Sequence, residues 1–106
     1  MGSTLTRKQI LESGAQRVGN AAAHLAIYDT PFSIHEAEEY QHQARIVIAR
    51  KNWNDQEIAR FREIAVRRAK KELVKRSKKE PYFDPDIALK DAIEKIDEFI
   101  EKDFRR

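Results

Sequence analysis

Apolar positions recur along the chain at helical intervals, in four separate segments. The first carries Leu11, Ala15, Val18, Ala22 and Leu25, spaced four, three, four and three, with Gly14 beside them so that a neighbouring helix could approach closely. The second carries Ala37, Tyr40, Ala44 and Val47, and the third Ile58, Phe61, Ala65, Ala69 and Leu73. The fourth carries Leu89, Ala92, Ile93, Ile96, Phe99 and Ile100. Each set forms one apolar stripe on a helix, the pattern of helices that bury a single side.

Each segment also opens on a capping signal. Leu5-Thr6 with Gln9, Phe32-Ser33 with Glu36 and Trp53-Asn54 with Glu57 all place an apolar residue before a cap, and Glu or Gln three positions after it. The cap side chain accepts from an orphan backbone N–H, and the Glu or Gln reaches back to the N–H of the cap. Phe83-Asp84-Pro85 offers a fourth start, with proline at the first helical position. The staple partners are Ile10, Ala37, Ile58 and Ala88, while Pro31 and Pro81 mark the ends of the first and third helices. The predicted fold is all-α: four helices over 7–28, 34–51, 55–78 and 85–104, in one domain spanning 1–106. Short linkers favour an antiparallel up-and-down bundle, or a helical bundle completed by dimerisation. Met1, Gly2 and Ser3 read as an appended remnant, and residues 1–5 are expected to be disordered.

Composition changes this picture little, but it closes off chemistry. No cysteine is present, which excludes disulfides, thiolate metal ligands and cysteine nucleophiles. No apolar run approaches the length of a membrane span and no secretory start is visible, so a cytoplasmic, membrane-free protein is expected. The apolar face of the third helix is modest, better matched to a bundle groove than to insertion into lipid.

Charge is distributed more tellingly than its net value of +3 suggests. Residues 55–79 hold ten basic against four acidic residues, whereas residues 80–106 hold five basic against nine acidic. At about 100° per residue, Arg60, Arg67, Lys71, Lys75 and Lys78 share a stripe opposite the apolar one, with Lys70, Arg76 and Lys79 adjoining it. On the fourth helix Asp91, Glu94, Glu98 and Glu101 form an acidic outward stripe. The leading expectation is a non-enzymatic accessory protein whose basic stripe contacts DNA or RNA backbone. The rival is an assembly module in which the basic and acidic faces direct homo-oligomerisation or the docking of a protein partner. A merely solvated surface competes with both.

Base reading is weakly supported. Lys51-Asn52-Trp53-Asn54 is short enough for a helix-turn-helix connection, but the third helix is long for that motif. Aromatic residues do not interleave with the basic ones, which disfavours a stacking platform for single strands, and Tyr82-Phe83 reads as a staple and loop anchor. Catalytic constellations are thin. His35, Glu39 and His42 share a face of the second helix and include the Glu-x-x-His spacing of bundle metal sites, but that face points to solvent and has no second half. Arg17 and His24 share a face of the first helix, with Asn20 beside them. An Arg and a His so placed recur in small helical ribonucleases, which makes RNA cleavage a distant third reading. No cofactor or metal is expected.

Overall fold

The computed structural model describes residues 6–28, 30–49, 52–80 and 82–104, and these form four helices: α1 (Arg7–Ile27), α2 (Pro31–Ile48), α3 (Asp55–Ser77) and α4 (Pro85–Asp103). No strand occurs among the described residues, and the all-α class stands as read. Residues 1–5 and Pro81 lie outside the described residues, and with them the expected disorder, the Leu5 staple and the proline stop of α3.

Three of the four starts are built as their residues dictate. Thr6 accepts from the Gln9 N–H and Gln9 returns a bond to the Thr6 N–H, and Asn54 and Glu57 do the same at α3. Asp84 caps α4 by accepting from the Asp86 N–H, with Pro85 at the first turn. The second start differs. Thr30, not Ser33, caps α2, accepting from the Ser33 N–H at 3.2 Å, and the helix begins at Pro31 rather than at 34. Proline fixes a helical φ and its missing N–H is one of the orphans of a first turn, so Thr30-Pro31 opens α2 rather than closing α1. Phe32 then lies inside the helix and is 72% exposed, not stapled.

Chain direction alternates from helix to helix, but the packing is centred on α1. Helix α1 lies against α2, α3 and α4, α4 also packs on α3, and α2 and α3, though consecutive, make no substantial contact. Helices α1 and α3 run parallel at close range. Arg7 pairs with Glu57, Asn20 with Arg68, and Tyr28 with Arg76. Small residues make this approach possible: a Cβ on Gly19 would meet the Ala65 carbonyl oxygen at 2.5 Å. The molecule is correspondingly flat, 44 × 30 × 22 Å.

Three neighbours bury more of α1 than one stripe. Gly14, Gly19, Ala21 and Ala23 are buried beside Leu11, Ala15, Val18 and Ala22, whereas Leu25 is only partly buried. On α2 the buried set is Ala37, Ala44 and Ile48, while Tyr40 and Val47, read as core, are 43% and 37% exposed. Helix α2 rests on α1 alone over most of its length, so its apolar arc is narrow. The α3 stripe is buried as read and gains Ile64. On α4, Ala88, Ala92, Ile96, Phe99 and Ile100 are buried, and Leu89 and Ile93 only partly.

The centre of the core is aromatic. Phe61, fully buried, stacks on Phe99 at 5.9 Å between centroids and meets Phe104 edge-on at 4.8 Å. Trp53 extends the cluster towards Phe104 and donates its indole N–H to the Ile48 carbonyl at 2.9 Å, tying the end of α2 to the start of α3. No polar or charged residue is buried among those described, so polar chemistry sits along the helix edges.

Candidate nucleic-acid interface

Three arginines bridge helices through acids, and a fourth pairs within α3. Arg7 forks onto Glu57 at 2.6 and 2.9 Å, lies 4.5 Å over the Trp53 ring, and also donates to the Asn52 carbonyl. This guanidinium, with the Asn54 N–H, holds the Glu57 carboxyl down to about 2. Arg45 joins α2 to Asp103 of α4 at 2.7 Å, Arg62 joins α3 to Asp97 of α4 at 2.7 and 3.2 Å, and Arg68 of α3 pairs with Glu72 at 3.1 Å.

The outward face of α3 breaks this habit. Lys70, Lys71, Lys75, Lys78 and Lys79 are exposed, and none has an acidic partner within 4 Å among the described residues. Arg67 and Arg60 share the single carboxylate of Glu63, at 2.8 and 3.4 Å. Arg67, Lys70, Lys71, Lys75 and Lys78 surround Val74, whose side chain is 41% exposed in their midst. Arg60 to Lys78 spans about 27 Å of helix axis.

Arg76 does not belong to that face. It is half-buried on the α1 side, donates to the Tyr28 hydroxyl at 3.0 Å and lies 5.6 Å over its ring, with Glu72 at 3.9 Å. Tyr28 in turn donates to Glu80 at 2.6 Å, and this acceptor, followed by burial, pushes the phenol above its ordinary value.

The acidic residues Asp91, Glu94, Glu98 and Glu101 are exposed on α4 as read, and Ile87 stands 62% exposed one turn before Asp91. Asp97, outside that stripe, supplies the contact to α3.

The Arg17/His24 pair is divided by the fold. Arg17 donates to Gln43 of α2, and Asn20 accepts from Arg68 of α3 at 3.2 Å. His24 lies against the Tyr28 ring at 4.8 Å and faces Glu36 of α2 at 3.8 Å. Burial, and then the Arg76 charge, push its pKa below 6.5, with Glu36 opposing them. His35, Glu39 and His42 are exposed along one side of α2. No group of three or more His, Cys, Asp or Glu among the described residues is placed to hold a metal ion.

Sequence reasoning missed the cleft where α1, α2 and α3 converge, walled by Asn20, His24, Glu36, Tyr40, Glu72 and Arg76. These features define an all-α protein with a basic face whose lysines have no acidic partner among the described residues. Comparison with protein-family models, with curated proteins and with solved structures gives no match. No helix among the described residues is long and apolar enough to cross a membrane.

Proposed function

We propose that the protein is a nucleic-acid-associated accessory module that grips the phosphate backbone with the outward face of α3. The observation that carries this reading is the run Lys70, Lys71, Lys75 and Lys78, exposed and without acidic partners among the described residues, while Arg7, Arg45 and Arg62 are each paired with an acid of another helix. Like charges three and four residues apart on a helix repel one another, so the arrangement costs stability in the free protein and is relieved by a polyanion. Lysine ammoniums are mobile point charges, suited to phosphates at irregular positions rather than to base edges. With Arg60 and Arg67 the face offers six cations over about 27 Å, the length of roughly eight base-pair steps of duplex. Arg76 is withheld from this role by Tyr28 and Glu72.

Charge reversal tests the face directly. A Lys71→Glu, Lys75→Glu, Lys78→Glu variant should lose duplex and single-strand binding in fluorescence anisotropy, with helicity and melting temperature nearly unchanged because all three side chains are exposed. Unaltered binding by that variant rejects the face.

A second reading is supported by the outward face of α4. The α4 face carries Asp91, Glu94 and Glu98 with exposed Ile87, a chemical complement to the lysines around Val74. Docking α4 of one copy on α3 of another closes a two-fold dimer where both pairs form at once, and otherwise generates rings or open chains. Light scattering that shows association abolished either by the α3 reversal or by Glu94→Lys with Glu98→Lys supports this assembly. A monomer at all concentrations rejects it.

A further inference from the structure

Helices α2 and α3 make no substantial contact with each other, and both pack on α1. Beside the basic face, Glu12 and Gln16 of α1 line a depression with Arg60, Arg67 and Lys71 of α3. Farther along α1 and α3, and walled by α2 as well, lies a second cleft at Asn20, His24 and Tyr40, about 190 Å³ in volume. Three features of that cleft stand apart from the packing around them. His24 Nε2 is enclosed yet has no hydrogen-bond partner, since the Glu36 carboxylate, at 3.8 Å, is beyond bonding distance. Of the two acids in the walls, Glu72 is engaged by Arg68 and Arg76, whereas Glu36 has only that long approach to His24. The third feature is Tyr40, which presents an aromatic ring, 43% exposed, from the α2 side.

Resting on the backbone reading above, we propose that this cleft receives one unpaired base bearing an exocyclic amino group, from a single strand whose phosphates follow the lysines of α3. Glu72 is neutralised by Arg68 and Arg76, and Glu36, the wall carboxylate without an arginine, disfavours phosphate there, so the backbone stays on the lysines and the base is the part that enters. There the exocyclic amine donates to Glu36, a carboxylate's usual role towards cytosine N4. The ring edge lies towards the His24 wall of the cleft, and the π-face lies on Tyr40, a contact that any base can make. Bases within a duplex are stacked and paired, so the cleft selects single strands. Aromatic and basic residues do interleave here, but between helices: the ring comes from α2 and the cations from α3.

The test is anisotropy with labelled oligo(C) and oligo(U), their deoxy counterparts oligo(dC) and oligo(dT), and a duplex of equal length. The ribo and deoxy series separate RNA from DNA as the source of the strand. Cytosine and uracil are alike in size and differ where the amine stands. The C-strands should bind about tenfold more tightly than the U- or T-strands. Tyr40→Ala should cost about tenfold on every strand while leaving the salt dependence unchanged, and Glu36→Gln should erase the preference for C. Both side chains are about half exposed, and circular dichroism confirms that the variants fold. Equal binding of all strands, or a Tyr40→Ala protein that binds as the wild type does, overturns the cleft while the backbone reading stands. Failure of every strand and of the duplex to bind removes both.

Discussion

The close approach of α1 and α3 can be probed with a single methyl group. Gly19→Ala places a Cβ 2.5 Å from the Ala65 carbonyl oxygen and 2.9 Å from Arg68 Cβ, closer than Cβ atoms come in folded proteins. The nearest obstacle is backbone, so the helices must separate. Overpacking of this kind costs about 1–3 kcal/mol, with the upper part apt where backbone rather than a side-chain tip must move. Against it stands the gain of about 1 kcal/mol in replacing glycine by alanine within a helix. A net loss of about 2 kcal/mol lowers the melting temperature by roughly 10 °C in a chain of this size. Gly14→Ala is the internal control: its Cβ meets only the flexible end of Ile48, at 3.2 and 3.4 Å, and Phe61 at 3.5 Å. There the propensity gain offsets the adjustment, and stability should stay within about 1 kcal/mol of the parent. Thermal and urea unfolding followed by circular dichroism reads both variants. A Gly19→Ala protein as stable as the parent, or a Gly14→Ala protein that suffers more, would refute the parallel α1–α3 contact as the tightest seam of the fold.

Other outcomes follow from the same geometry. Phe61→Ala empties the centre of the aromatic cluster and should cost about 3–5 kcal/mol in urea unfolding, whereas Phe32→Ala, on an exposed position, should cost almost nothing. Glu57 is held near 2 in the folded state against 4.5 ordinarily, so its contribution is complete above about 4.5 and disappears as pH falls towards 2; Glu57→Gln should be less stable than the parent at pH 7, with the gap closing over that window. His24 has its folded pKa depressed below 6.5 by burial and Arg76, opposed by Glu36 of α2, with Tyr28, Tyr40 and Glu72 around it. The unfolded chain therefore takes up this proton first, and stability should decline as pH drops below about 6.5, a dependence that His24→Gln removes.

Much of the fold was legible because helices announce themselves locally. Capping boxes at Thr6 and Asn54 and the Asp84-Pro85 start involve residues within one turn of each other, and each is formed as its sequence implies. At α2 two local signals competed. Ser33 with Glu36 has the spacing of a capping box, but Thr30-Pro31 lies one turn earlier, and the earlier start buries Ala37, Ala44 and Ile48 against α1. Tyr40 and Val47 were misread as core for a related reason: helical spacing gives the direction of an apolar arc but not its width, and α2 has only one close neighbour to cover it. The glycine and alanine seam on α1 correctly implied a close partner, yet nothing local identified that partner as the parallel α3.

The basic face was visible in sequence because it lies on one helix. Its corrections concern only what the fold adds, above all the capture of Arg76 by Tyr28 and Glu72. The cleft at His24 could not be read in advance, since its walls come from three helices and its selectivity depends on which acids are already engaged. Arg17 and His24, adjacent on the helical wheel, are separated by partners on α2 that no spacing rule reveals.

The central claim, that the α3 face binds phosphate backbone, is tested most directly by the salt dependence of affinity for a labelled duplex. Six phosphate contacts predict a slope of about −5 in log affinity against log salt, or roughly a thousandfold loss between 50 and 200 mM, and a slope about half as steep in a Lys71→Gln, Lys75→Gln, Lys78→Gln variant. Absence of binding at low salt, or binding that salt does not weaken, would contradict the account.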